Sequence, residues 1–279
     1  MTSILRTVAT IITLAALATT IGLAVAYWRW TQEIAGDTDR MVGNAVASDS
    51  RTITDAMLAD LPCPARRYLV HAGVVGSKIP RLVMLIQKGR IRNSAESGWM
   101  GFEAEETYST NPPGFVWRAA FPATPVPVVL GRDEYLEGNG SIVMKVLASI
   151  PVADERGDEL RAAGLMRYLN EMMWFPAAFL GSNVTITAID DASFGVSIAD
   201  RDMVAEAVLL IDAEGQLTNF RARRYNTGSR SMEIWETPIT AHASFNGLLL
   251  PRTGSAVWKL ETGDIEYIEL EVTGVTYQY

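Results

Sequence analysis

The first thirty residues and the rest of the chain follow different hydrophobic patterns. From Thr7 to Trp28 there are 22 residues without a charge, bounded by Arg6 and Arg29. A helix rising about 1.5 Å per residue needs roughly 20 residues to cross a hydrocarbon core. Tyr27, Trp28 and Trp30 cluster at the distal end, where amphipathic rings favour the headgroup layer. Thr7, Thr10, Thr13, Thr19 and Thr20 dilute the run, but their hydroxyls can bond back to helix carbonyls. Residues 1–30 therefore read as a transmembrane anchor or as a signal peptide, with Ala24-Val25-Ala26 as the small-x-small cleavage site. The run exceeds a signal core of about 7–15 residues, which favours the anchor. Arg6 on one side and Arg29 and Arg40 on the other nearly balance, so charge does not fix orientation. A single N-terminal span usually exports the chain on its C-terminal side. The expected topology is single-pass in the inner (cytoplasmic) membrane, with an extracytoplasmic, periplasmic body.

Residues 31–51 are polar, with Gly36 and Gly43, and read as a linker. Residues 52–279 read as one domain. Thr52 or Thr54 is placed to cap a short helix reaching Leu61, which Pro62-Cys63-Pro64 breaks. Ala65, Tyr68, Leu69 and Ala72 then share one face of a second helix that Gly73 ends. From Ile79 the pattern turns to strands: 79–92, 99–109, 114–121, 141–148, 204–211, 217–225 and 265–279, separated by Gly and Pro turns. Residues 121–127 hold Pro122, Pro125 and Pro127 and read as an extended loop or edge. One clear helix interrupts, from about Gly157 to Trp174. Its apolar stripe is Ala162, Met166, Leu169 and Met173, beside a second, mostly charged row of Glu159, Ala163, Arg167 and Glu171. In the last strand the alternation slips between Tyr267 and Ile268 and again at Gly274. Each slip predicts a bulge, and bulges bend a sheet. About ten or eleven strands without βα alternation predict an α+β fold. It is a strongly curved, largely antiparallel β-sheet (half-barrel) with one or two helices packed on it.

Composition narrows the function. At 48% hydrophobic and 20% charged residues the chain is too apolar to be disordered. A net charge of -8 argues against a nucleic-acid binder, which needs basic surface. One Cys and two His supply neither a disulfide nor a metal centre, and no cofactor motif is present. A serine hydrolase would need a nucleophile on a sharp turn. There is no Gly-x-Ser-x-Gly, and neither His71 nor His242 lies near Ser141 in sequence. The acids of Asp154–Glu159 read as capping and solvation of a helix start, and Asp190-Asp191 as a turn. No constellation supports an enzyme.

Three sets remain. Arg167 and Glu171 are an i, i+4 pair: either a surface ion pair, or part of a buried polar network with Glu159 or Arg156 fixing the helix to the sheet. Arg221, Arg223, Arg224 and Arg230 are the densest basic group, with Arg224 opposite Arg221 and Arg223 on a strand. Trp99, Trp117, Met166, Met173 and Trp174 are the candidate lining of an apolar site, against plain core packing. Flexible Met-rich walls suit irregular hydrophobic ligands.

The stretches Pro64–Leu69 (PARRYL), Asp133–Gly140 (DEYLEGNG) and Arg167–Pro176 (RYLNEMMWFP) resemble an uncharacterised bacterial domain-of-unknown-function family. Gln87-x-Gly89, Trp99-x-x-Phe102-x-Ala104, Phe115-x-Trp117, Pro151-Val152-Ala153 and Val257-Trp258 extend the likeness over most of residues 62–279. The family brings no activity with it. At the level of element order the chain is also similar to the half-barrels of periplasmic lipoprotein carriers. That likeness concerns the fold alone; the anchor and the Trp and Met candidates of a concave apolar face are what read as a membrane-anchored binding protein for a lipid or other hydrophobic ligand. The alternative is an accessory subunit or assembly factor of a membrane complex, with Ala15, Ala18 and Gly22 permitting close helix contact.

Overall fold

The computed structural model describes residues 2–47, 51–122 and 127–279. Helix α1 (Thr2–Asn44) runs without a break through the apolar segment and beyond it. Residues 31–44, expected as a linker because they are polar, are its last turns. They stay helical because one stripe of them is buried. Trp30, Ile34 and Met41 stand at i, i+4 and i+11 and pack on Val116, Leu130 and Val143. Asp37 on the same stripe pairs with Arg132 at 2.6 Å. Arg81 Nη1 donates to the carbonyls of Val42 and Ala45, each at 3.2 Å, and closes the helix end. The apolar part of α1 is exposed, and it is long and apolar enough to cross a membrane.

The segment expected as a capped helix before Leu61 forms only a 3-10 turn over Asp55–Leu58, and Thr54 makes no capping bond. Helix α2 (Cys63–His71) carries Pro64 in its first turn and gives way to Gly73, whose φ is +82°.

The strands are β1 (Leu82–Ile91), β2 (Met100–Thr110), β3 (Pro113–Pro122), β4 (Pro127–Leu136), β5 (Asn139–Val146) and β6 (Ile150–Arg156). After helix α3 (Asp158–Glu171) come β7 (Val184–Asp190), β8 (Ser193–Asp200), β9 (Met203–Ile211), β10 (Leu217–Asn226), β11 (Ser231–Glu236), β12 (Ile239–Phe245), β13 (Leu248–Leu260) and β14 (Gly263–Gln278). Among the described residues they form one sheet of 14 strands, more than the ten or eleven expected. The two terminal strands show why. β6 is exposed along nearly its whole length and β7 along most of it, so neither needs a continuous apolar face. Of the proline-rich stretch read as a loop or edge, Phe121-Pro122 ends β3 and Pro127 begins β4; residues 123–126 lie outside the described residues.

The order is β6-β5-β4-β3-β2-β1-β14-β13-β11-β10-β9-β8-β7, with β12 beside β13. The pairings are antiparallel, and the last strand joins the first, from Leu82↔Gln278 to Ile91↔Ile268. Both expected slips in β14 are bulges. Its pairing with β13 passes from Ile268 to Glu266, leaving out Tyr267. Its pairing with β1 passes from Gly274 to Val272, leaving out Thr273. Two bulges on the central strand curl the sheet into a half-barrel.

Helix α3 lies across the concave face. Its approach is closer than side chains allow. A Cβ on Gly140 would stand 2.0 Å from the Leu160 carbonyl, and one on Gly164 2.9 Å from the Tyr135 ring. Leu165, Tyr168 and Leu169 are its deepest residues, with Met172 equally deep just past its end, so the stripe is centred one step from the expected Ala162–Met173 row. The sheet also takes in the second row from Ala163 onward, and Glu159 stays outside it.

Candidate functional site

Strands β1–β5 present an alternating inner face: Phe102, Ala104, Glu106 and Tyr108 on β2, and Phe115, Trp117, Ala119 and Phe121 on β3. Half of this face is filled. Tyr108, Phe115 and Tyr135 pack with Tyr168 and Phe175, and the Tyr108–Phe175 ring centres are 5.0 Å apart. The other half carries a smaller buried cluster of Phe102, Ala104, Ala119 and Phe121. There the inner face and α3 bound a cavity of about 790 Å³, lined among others by Phe102, Trp117, Phe121, Met144, Trp235 and Leu270. Leu160, Ala163, Arg167, Asn170 and Glu171 are the face that α3 turns toward it.

The expected lining splits three ways. Trp117, Met173 and Trp174 line the cavity. Trp174 is held by its own Nε1 donating to the Pro251 carbonyl at 2.9 Å, and its carbonyl accepts from the Tyr277 hydroxyl at 2.6 Å. Met166 faces the filled core on the other side of α3. Trp99 lies in the β1–β2 connection, with the Arg90 and Arg92 guanidinium carbons 4.7 and 4.6 Å from its ring centre. Sequence spacing could not separate these, because a Trp or Met pattern does not say on which side of a helix or sheet it falls.

A buried polar cluster divides the two halves. Arg167 Nε donates to Glu171 at 2.8 Å, Nη1 to Asp133 at 2.5 Å and Nη2 to Glu106 at 2.9 Å. Gln87 Nε2 donates to the second Glu106 oxygen, and its own Oε1 accepts from Trp117 Nε1, both at 3.0 Å. The structure thus joins Arg167 and Glu171. Glu159, expected with them, is exposed in the first helical turn and takes no part. Glu106, Asp133 and Gln87 are residues that sequence reasoning missed. Their signal was the phase: Glu106 occupies an inward position between Ala104 and Tyr108.

The electrostatics follow from crowding. Burial pushes the Glu106 carboxyl well above the usual range against the pull of Arg167, and Glu171 and Asp133 add to the rise. Burial also raises Glu171. Burial alone would lower the Arg167 guanidinium, but Glu106, Glu171 and Asp133 hold it well above its ordinary value. One cation among three carboxylates favours retaining a proton within the cluster. All three guanidinium nitrogens are committed to protein carboxylates. The cluster is therefore a latch of α3 to the sheet and the floor of the cavity.

The four arginines of the basic group are not brought together. Arg221 pairs with Glu236 at 2.6 Å on the outer face. Arg224 turns inward, 4.6 Å from the Trp235 ring centre, at the cavity wall. Among the described residues no group of three or more His, Cys, Asp and Glu is placed to hold a metal.

Fold and site together define a curved antiparallel half-barrel with a helix over half its concave face and an apolar cavity in the other half. The chain belongs to DUF6544, a family of unknown function, whose family model matches residues 51–270. No curated protein matches the sequence. Among solved structures the chain is similar to a LolA superfamily protein from Nitrosomonas europaea, at 10% identity and a TM-score of 0.44, covering 77% of this chain and 94% of that one. It is also similar to a DUF1329 family protein from Desulfovibrio piger, at 8% identity and a TM-score of 0.42, covering 81% and 94% respectively.

Proposed function

We propose that the chain is a membrane-anchored extracytoplasmic protein that holds a lipid or comparable hydrophobic molecule in the half-barrel, without catalysing a reaction on it. One observation carries this reading: an unfilled cavity of about 790 Å³ with aromatic and aliphatic walls. The cavity is open at one end, and its apolar walls are left uncovered by the chain itself, which suits an apolar occupant. The volume lies in the range of small-molecule sites, roughly 300–1,000 Å³. At the floor the Arg167 fork is committed to three carboxylates and offers no free cation, and the inward guanidinium of Arg224 stands at the wall instead. The exposed apolar half of α1 supports anchoring in a membrane; the reading places that membrane as the inner one, with the body on the periplasmic side.

Mass spectrometry of the full-length protein, gently released from its own membrane, tests this reading. The expected result is a stoichiometric lipid-sized adduct on a chain with an intact N-terminus. A bare chain with a reproducible protein partner would overturn it in favour of an accessory subunit.

A further inference from the structure

The way α1 is built into the body fixes where the cavity points. Strands β1–β6 form a meander, so the β1–β2, β3–β4 and β5–β6 connections lie at one end of it and the β2–β3 and β4–β5 connections at the other. Helix α1 crosses the convex face of this meander from the first end to the second. Ala26 and, near the end of β3, Ala120 pack against the same apolar cluster, and Glu33 pairs with Lys145 near the end of β5. The Lys145 ammonium sits 4.7 Å from the Trp30 ring centre. At the far end Asn44 donates to Glu137 in the β4–β5 turn at 3.0 Å, and the Val46 amide to the Asn111 carbonyl at 2.8 Å. The membrane segment therefore leaves the body from the first end.

The cavity reaches the same end. Its lining there is Ile91, Arg92, Asn93, Phe121 and Met144. Its opposite limit in this meander is the Arg167 cluster, beyond which the inner face is solid core. The distance from the bilayer is short. The uncharged run ends at Trp28, and on the same unbroken helix contact with the body begins at half-buried Ala26 and the fully buried stripe at Trp30, so no length of helix separates the two. There is no spacer to lift or turn the domain. Tyr27 and Trp28 are exposed at this level. Around the same end stand Met100, Leu147 and Ile150, 39%, 38% and 60% exposed, and Trp99 with its two arginines. Apolar tips beside aromatic rings and guanidinium groups match the headgroup layer of a bilayer.

We infer that the open end of the half-barrel rests on the leaflet from which α1 emerges, with Met100, Leu147 and Ile150 at its rim, and that the cavity takes its ligand from that leaflet. The occupant is then a lipid of this membrane, entering with its apolar part toward the Trp117 side. This inference rests on the anchored-binding reading above and adds to it a direction of loading. The floor is consistent with such entry, because an acyl chain asks nothing of a guanidinium already paired three times.

The test uses the full-length chain in phosphatidylglycerol–phosphatidylethanolamine vesicles. Exposed Cys63 is first replaced by Ser, and one new thiol carries an environment-sensitive fluorophore. Ile150→Cys and Met100→Cys report on the rim; Asn139→Cys, exposed at the start of β5 at the far end, is the control. Lipids with a nitroxide near the headgroup are expected to quench both rim labels strongly and to leave the control near its unquenched intensity. A flexible Gly-Ser insertion after Arg29, which frees the body from the helix axis, is expected to lose most of the rim quenching. Rim labels quenched no more than the control would overturn the inference. Mass spectrometry on the same preparations keeps the two readings apart. A lipid adduct with unquenched rims leaves the binding reading standing and removes the leaflet-facing mouth. Quenched rims without any adduct leave the mouth on the membrane and remove the binding reading.

Discussion

The inner face of β1–β5 holds two regions made by one alternation and used in opposite ways. In one, Tyr108, Phe115 and Tyr135 are fully buried under α3. In the other, Phe102 and Phe121 form a smaller buried cluster, packed with Trp117, that lines the cavity. The residue types hardly differ. What differs is the helix. Gly140 and Gly164 let α3 sink onto the sheet over the first region. Arg167 then stops the apolar contact by gathering Glu106, Asp133 and Glu171 at the boundary. An aromatic inner face thus becomes core or cavity according to where the covering element ends.

The boundary is the first place to break this arrangement. Arg167→Met leaves three carboxylates without their cation, one of them fully buried. The expected loss is about 3–5 kcal/mol of stability, read by urea unfolding. A loss below about 1 kcal/mol would mean that the cluster does not latch the helix. The two halves can next be set against each other directly. Phe175→Ala in the filled half is expected to cost about 3–5 kcal/mol, and Phe102→Ala beside existing free volume about 1–2 kcal/mol. Equal costs would mean that the cavity closes in solution.

Much of this contrast was legible in the sequence, and its dividing line was not. Alternation and turn residues place the early strands, and the phase slips at Tyr267 and Gly274 foretell both bulges of β14. The Arg167–Glu171 pair is visible as i, i+4 spacing. Its partners Glu106 and Asp133 lie 61 and 34 residues from Arg167 on other strands, and nothing local marks them as meeting it. The same limit explains residues 31–44: their polarity reads as a linker until the strands that cover Trp30, Ile34 and Met41 are in place. Whether Trp117 lines a cavity and Met166 a core depends on where α3 lies, which is a tertiary fact.

The pH dependence gives a smaller signature of the boundary. Glu106 and Glu171 are raised by burial. A group with a raised folded pKa favours the folded state below its unfolded pKa, about 4.3 for Glu, and loses that contribution as pH climbs through the folded value. Their contribution therefore falls as the solution is made more basic from mildly acid pH. Glu106→Gln keeps the shape and a hydrogen-bonding oxygen but cannot ionise. It is expected to flatten the melting temperature against pH on the alkaline side. A parallel curve, merely shifted, would place the sensitivity elsewhere.

The smallest effect on stability is expected from a substitution with a large effect on binding. Met144 lies on β5 with its side chain toward the cavity and is half-buried. In a packed interior, extra atoms cost about 1–3 kcal/mol because neighbours must leave their rotamers. Leu165, fully buried on the core side of α3, has no such room, and Leu165→Trp is expected to show that cost in full. Met144→Trp instead extends a ring into unfilled space beside Phe121. It is expected to change stability by less than about 0.5 kcal/mol, while the lipid adduct seen by mass spectrometry falls to a small fraction of the wild-type level. The pair separates two meanings of an aromatic inner face. If Met144→Trp costs as much as Leu165→Trp, the open half is a core that packs in solution. If it is tolerated and the adduct persists, the ligand sits elsewhere.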